Sequence, residues 1–280
     1  MSDRFLLRFW GVRGTIPVAD RNFMKYGGNT SCIEVTCGDH SFILDAGTGI
    51  HMLGLQLAAR HIDILFSHTH IDHICGLPYF GPLYDKSRRI DMWAGHLHPD
   101  YDLLQVIKHV MAPPIFPITP QQFNAEIHYH DFTAGEDLRT SRWLDAGITI
   151  KTLALNHPDR ATGYRIEYRG KSLCYITDIE HTVGMLNTEL AEFVRGASCM
   201  IYDSTYCDEE FSRYVGWGHS TWQQAVRIAN YAQIGTLVTF HHDPDANDEK
   251  LDKRDAQLQQ LRPGSVTARE GMVIDLTNNI

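Results

Sequence analysis

The sequence predicts an α/β protein. Short apolar runs end in Gly, Asn or Asp turns; other segments carry apolar residues at helical spacing; and several of the apolar runs end on His or Asp. The composition agrees: 280 residues with 43% hydrophobic and 21% charged side chains are globular values, which excludes a disordered or fibrous chain. Residues 1–280 are expected to form one domain, because neither a linker, a repeat nor a low-complexity tract divides them.

The elements follow in order. Phe5 to Trp10 is apolar and aromatic and reads as a strand broken at Gly11. Ser31–Cys37 and Ser41–Leu44 flank the Gly38-Asp39 turn and read as an antiparallel hairpin. Ile50 to Arg60 has helical spacing, and Ile62 to Phe66 is a short buried strand. Residues 74–147 hold Pro78, Pro82, Pro99, Pro113, Pro114, Pro117 and Pro120. That density predicts a loop-rich segment over a pocket, with one helix near 100–110 and one strand near 125–130. Ile148–Leu155 alternates as a strand, and Gly163–Tyr168 and Ser172–Ile176 form a hairpin around Arg169-Gly170. Ser198–Tyr202 is a strand. Ser220 and Gln223 make a capping box before a helix with apolar residues at 222, 225, 226, 229 and 232. Thr236–Phe240, a polar helix over 248–261, and a last strand at 273–276 complete the chain.

Twenty-five Lys and Arg against thirty-four Asp and Glu give a net charge of −9. Long-range repulsion therefore disfavours a general polyanion binder, though not a small phosphate at a cationic site. No apolar run is long enough to span a bilayer, so no membrane partner is expected, and the start has no signal-peptide pattern. Six dispersed cysteines without a CxxC pair fit a reducing compartment, so a cytoplasmic location is expected.

The chemistry is concentrated in histidine. His68-Thr69-His70-Ile71-Asp72-His73 leaves the end of an apolar strand. In a tight loop His68 and His70 reach one metal while Asp72 and His73 reach toward another, and imidazole with carboxylate suits Zn²⁺, and also Mn²⁺ or Fe. His157, Asp178 and the pair His241-His242 each follow a later strand. Any one of them alone would read as a cap or turn residue; their recurrence at successive strand ends points to ligands.

This order of residues resembles the metallo-β-lactamase superfamily, whose fold is a four-layered αβ/βα sandwich with metals at one edge. The segment Phe42-Ile-Leu-Asp45-Ala-Gly-Thr-Gly49 is also similar to that family's Asp-Gly segment, whose Asp supports the metal loop. The resemblance implies two divalent metal ions, Zn²⁺ first with Mn²⁺ or Fe as alternatives. His68, His70 and His157 would bind the first; Asp72, His73 and His241 (or His242) the second; Asp178 would bridge. Tyr202-Asp-Ser-Thr-Tyr206 and Gly218-His219-Ser-Thr-Trp-Gln-Gln-Ala225 resemble the ribonuclease Z branch and its cyclic-phosphate phosphodiesterase relatives, as does the opening LRFWGVRGTIP…GGNTSC. In that branch the His before Ser-Thr serves the phosphate, which assigns a catalytic role to His219.

The implied reaction is phosphodiester hydrolysis. The cations would make water nucleophilic at neutral pH, Asp72 would orient it while ligating, and His219 would stabilise the developing charge or protonate the leaving alkoxide. Ribonuclease Z carries a long Gly-rich, basic arm, and this sequence has no such stretch. The substrate is therefore expected to be a small cyclic nucleotide or cyclic phosphate, with RNA as the alternative partner. Three rival functions remain: a tRNA 3′-endonuclease, a thioester or lactone hydrolase in which His219 would be dispensable, and a non-catalytic metal-binding sensor. Relatives of this type are often dimers, so a homodimer is expected from the resemblance alone.

Overall fold

The computed structural model describes residues 3–277. A first sheet holds seven strands in the order β13-β1-β2-β3-β4-β5-β6, and a second holds six in the order β12-β11-β10-β9-β8-β7. The strands are β1 (Phe5–Gly11), β2 (Cys32–Cys37), β3 (His40–Leu44), β4 (His61–Phe66), β5 (Arg89–Ala94), β6 (Glu126–Asp131), β7 (Ile148–Leu155), β8 (Ala161–Tyr168), β9 (Lys171–Ile176), β10 (Cys199–Asp203), β11 (Thr236–Phe240), β12 (Val266–Thr267) and β13 (Val273–Asp275). The helices are α1 (Ile50–Gln56), α2 (Ile71–Ile74), α3 (Leu103–Val110), α4 (Ser141–Asp145), α5 (Thr188–Val194), α6 (Asp208–Phe211), α7 (Trp222–Tyr231) and α8 (Asp248–Leu261). No described helix is long and apolar enough to cross a membrane.

Alternation puts one face of each sheet against the other. Phe5, Leu7 and Phe9 of β1 and Phe42 of β3 pack with Tyr164, Tyr175, Ile201 and Phe240 of the second sheet. The outer face of the first sheet is closed by Ile50 and Leu53 of α1 and Leu103 and Ile107 of α3. That of the second is closed by Leu190 and Val194 of α5, Ala225 and Ile228 of α7, and Leu258 of α8. These are the four layers of an αβ/βα sandwich. Strand β10 lies inside the second sheet, covered on both faces, which is why Cys199–Asp203 is buried throughout instead of alternating.

Connectivity creates the functional edge. β2 and β3 are an antiparallel hairpin, whereas β3, β4 and β5 run parallel, as do β9, β10 and β11. The carboxyl ends of β3 and β4 in one sheet therefore meet those of β9, β10 and β11 in the other, a place where open sheets gather polar loops. Asp45, Asp178 and His241, each just past a strand end, adopt φ values of 60°, 53° and 59°. Non-glycine residues rarely occupy that left-handed region, and here three sit on the loops that converge at this edge.

The structure departs from the sequence reading in three places. The 74–147 segment holds the expected helix and strand, α3 and β6, among its loops, but it also contributes β5 to the first sheet and the short helix α4. β5 was obscured by Asp91 in the middle of Arg-Ile-Asp-Met-Trp-Ala. Asp91 is buried because it accepts from His61 Nε2 (2.6 Å), His130 Nε2 (2.7 Å) and Arg89 Nε (3.0 Å). Several prolines there serve helix starts, as Pro78, Pro82 and Pro120 sit in first turns of short 3-10 helices. The helix from Ile50 stops at Gln56, because Leu57 turns extended and becomes buried. The cap of α7 is Thr221 rather than Ser220, its hydroxyl oxygen accepting the Gln224 N–H at 3.1 Å.

Candidate active site

The loop after β4 and the short helix α2 carry His68, His70, Asp72 and His73. Gly14 and Gly47 let neighbouring segments approach closely: a Cβ on Gly14 would stand 2.1 Å from the His241 ring, and one on Gly47 would lie 2.4 Å from the Asp72 carbonyl oxygen.

Asp45 organises the loop. Its carboxylate accepts the Ser67 N–H (2.7 Å), the Ser67 hydroxyl (2.7 Å), the His73 Nδ1–H (2.8 Å) and the Tyr175 hydroxyl (2.7 Å). Ser67 Oγ lies 3.1 Å from His68 Nδ1 and, its own proton being directed at Asp45, accepts from it. His157 Nδ1–H donates to the Gly218 carbonyl at 2.7 Å. His241 Nδ1 is 3.0 Å from Thr205 Oγ, which itself donates to Asp203. Each of these four imidazoles thus directs Nδ1 at a protein partner, which orients the ring and turns Nε2 toward the cluster. His70 is turned the other way. Its Nε2 faces Asp159 at 3.3 Å, and its Nδ1 lies 3.1 Å from His157 Nε2.

The donor atoms cluster in overlapping groups, two of which match the expected ligand sets. Donor atoms of His68, His70 and His157 lie within 4.8 Å of one another, and so do those of Asp72, His73 and His241. Asp178 stands between them. Its Oδ1 is 3.7 Å from His68 Nε2 and 3.8 Å from His157 Nε2, while its Oδ2 is 3.2 Å from His73 Nε2 and 3.4 Å from His241 Nε2. His68 Nε2 is buried with no hydrogen-bond partner, a costly state that a cation would relieve. The donor set therefore fits two divalent ions with a carboxylate facing both. His242 cannot join: its Nε2 donates to the Ala268 carbonyl at 2.8 Å, away from the cluster.

The electrostatics favour cation binding. Burial, followed by the His73 charge, pushes His68 well below the ordinary imidazole value, and burial lowers His157, so both present lone pairs; at His73 burial is outweighed by Asp178, Asp72 and Asp45, which raise its pKa, so a cation there displaces a proton. Asp72 and Asp178 stay ionised. Burial opposes their charge, but the surrounding imidazoles outweigh it and hold both carboxyls well below the usual range.

His219 belongs to neither of these two groups of three, but its ring lies in a further cluster with Asp178, Asp203 and His241. Its Nδ1 donates to Asp203 Oδ2 at 2.9 Å and lies 3.7 Å from Asp178 Oδ1. Burial would lower its pKa, but Asp203 outweighs burial and raises it to about 9. Asp203 Oδ1 is taken by the Thr205 N–H (3.0 Å) and hydroxyl (2.8 Å), which leaves its carboxylate to position His219 rather than to bind metal.

Several working residues were not assigned from sequence. Asp203 ends β10 just as Asp178 follows β9, so the same strand-end signal marks it. The backbone N–H of Thr15 donates to Asp72 Oδ2 at 2.7 Å from a strained φ of 66°. Gly218, at φ 85°, has room for no side chain, since a Cβ would lie 2.2 Å from His157 Nδ1. Glu180 Oε2 accepts the N–H groups of Gly216 (2.7 Å) and Gly218 (2.8 Å) and so holds the turn that carries His219. These contacts join residues distant in sequence and leave no local pattern. Trp217 is exposed and packs edge-on against Tyr214.

Comparison with known proteins gives the same framework. A model of the β-lactamase superfamily domain matches residues 40–242. The chain belongs to the metallo-β-lactamase superfamily. Ribonuclease Z of Thermoplasma acidophilum is 34% identical to this superfamily member, over 92% of this chain and 93% of the relative. Among solved structures, the short form of human tRNase Z matches with a TM-score of 0.66 at 19% identity, covering 96% of this chain and 98% of that one. A diphosphatase of the PhnP family matches with a TM-score of 0.69 at 19% identity, covering 98% and 97%. Family and donor set together make this metallo-β-lactamase superfamily member a metal-dependent hydrolase.

Proposed function

We propose that the protein hydrolyses phosphodiesters, with His68, His70 and His157 holding one divalent cation, Asp72, His73 and His241 holding a second, and Asp178 bridging them. When bound, the cations supply an activated water and the positive charge that an anionic phosphate requires. The chain's own residues do the rest. Asp72, held by the Thr15 N–H, keeps a fixed carboxylate at the position where the attacking water must be oriented. His219, protonated at neutral pH and aligned by Asp203, directs its Nε2–H at a phosphate oxygen or the departing alkoxide. Its fixed position beside Asp178 is the single observation that carries the reading, since an ester or thioester hydrolase has no need of a protonated imidazole there.

A small substrate is favoured over a polymer. A cavity of about 710 Å³ opens against His68 and His70, a size suited to one nucleotide-like group. Two of the three basic residues of the Lys86–Arg89 segment are held by carboxylates of this chain: Arg88 pairs with Asp85, and Arg89 with Asp91 and Glu126. The second reading is RNA processing, which the similarity to ribonuclease Z of Thermoplasma acidophilum supports.

The test is a panel of 3′,5′-cyclic nucleotides, 2′,3′-cyclic nucleotides, bis(p-nitrophenyl) phosphate, a thioester and precursor tRNA, run with Zn²⁺ and with Mn²⁺. Turnover confined to small phosphodiesters is the expected result. Cleavage of precursor tRNA alone would favour the second reading, and thioester turnover alone would overturn both.

A further inference from the structure

The cavity beside His68 and His70 is a built site with one unanswered polar group outside the proposed ligand set. Its floor holds His96, which is 4% exposed, and its Nε2 lies 3.0 Å from the Thr69 hydroxyl. The other ring nitrogen, Nδ1, is buried with no hydrogen-bond partner. Few buried polar atoms are left in that state, and one in a side chain that lines a cavity invites a ligand atom there. The walls are of another kind. Leu97, Tyr101 and the α3 residues Val106 and Val110 present apolar and aromatic surface. At the rim, Arg160 donates to the His98 carbonyl at 3.0 Å and pairs with Asp100, closing one side.

Distance along the substrate decides which group meets which surface. The His96 ring lies 6.3 Å from that of His68, so it faces whatever is attached within a few bonds of the phosphate. The apolar walls receive what lies farther out. A hydroxyl-bearing sugar followed by a planar base has that order of polarity.

We propose that this cavity is the nucleoside subsite and that His96 is its specificity-determining residue, hydrogen-bonding a ribose hydroxyl next to the phosphate ester. The proposal rests on the phosphodiester reading for its substrate but not for its test. Calorimetric titration of the metal-loaded protein with adenosine 3′-monophosphate and with its 2′-deoxy counterpart measures the subsite without turnover. Wild type is expected to bind the ribonucleotide about tenfold more tightly, the scale of one hydrogen bond to a buried partner. In His96→Phe the two affinities should become equal. Val110→Trp, which fills the cavity, should weaken both nucleotides while inorganic phosphate binds as before.

Equal affinities in wild type would overturn the proposal. So would a His96→Phe protein that keeps the ratio while losing affinity for both nucleotides and for phosphate, the mark of a merely structural role. The two readings fail separately. Ribose discrimination in a protein that turns over no phosphodiester sinks the reaction and keeps the subsite, whereas turnover without discrimination sinks only the subsite.

Discussion

At the scale of single residues, the site works by ring orientation. His68, His73, His157 and His241 each commit Nδ1 to Ser67, Asp45, Gly218 or Thr205, so their Nε2 atoms converge without rotational choice. His219→Ala should retain both metals by elemental analysis yet lose about 10²–10⁴ in phosphodiester turnover, the usual weight of a general acid. Unchanged turnover would remove its role. His241→Ala should lose about one metal equivalent per chain and His242→Ala none, because His242 is spent on Ala268; metal content of the two variants checks this. The sequence exposed the histidines and carboxylates well, since each interrupts or ends an apolar run. It favoured His241 over His242 only through the family spacing to Pro244, because their opposite orientations depend on the left-handed φ at His241 and on the chain near Ala268.

At the scale of elements, strand ends aim the ligands and caps hold the surrounding loops. Thr221→Ala should cost ~1 kcal/mol in urea denaturation through loss of the α7 cap, against little change in metal content. Ser220 was the residue whose pattern matched a capping box, but its hydroxyl is 2.8 Å from His181 Nδ1. A tertiary partner therefore displaced the local rule by one position. β5 was hidden for a related reason. A carboxylate inside a strand reads as a break unless its partners are known, and those of Asp91 come from the two neighbouring strands, His61 from β4 and His130 from β6. The Asp91 cluster also gives a pH prediction. Burial opposes its charge, but the hydrogen bonds from His130, His61 and Arg89 outweigh it and hold the carboxyl below the usual range. A lowered folded-state pKa contributes stability above the unfolded value of ~3.9 and loses it as the pH falls further. Urea midpoints should therefore drop below pH ~4 less steeply in Asp91→Asn than in wild type. Equal slopes would contradict the assignment.

At the scale of the whole molecule, the sandwich brings together candidate ligands from residues 68 to 241 that no short segment could supply. Most strands were legible because β1 to β4 and β7 to β11 are short apolar runs, some alternating and some buried throughout, bounded by turn residues, whereas the layering followed from the family resemblance. The first residues past each strand were legible as candidates. What lay beyond reach were contacts closed only in three dimensions: Thr15 on Asp72, Glu180 on the Gly216–Gly218 turn, and His96 in its cavity. Because the two sheets meet at the cluster, metal binding should stabilise the entire fold. Zinc at a hundredfold excess over its Kd should add ~2.7 kcal/mol of unfolding free energy for each linked site, measurable by denaturation with and without a chelator.

Anomalous diffraction at the zinc edge from crystals of the zinc-loaded protein tests the central claim most directly. Two peaks ~3.5–4 Å apart should appear, one against His68, His70 and His157, the other against Asp72, His73 and His241, with Asp178 between them. A lone peak, or zinc bound only at His61, Asp63 and Asp91, would contradict it.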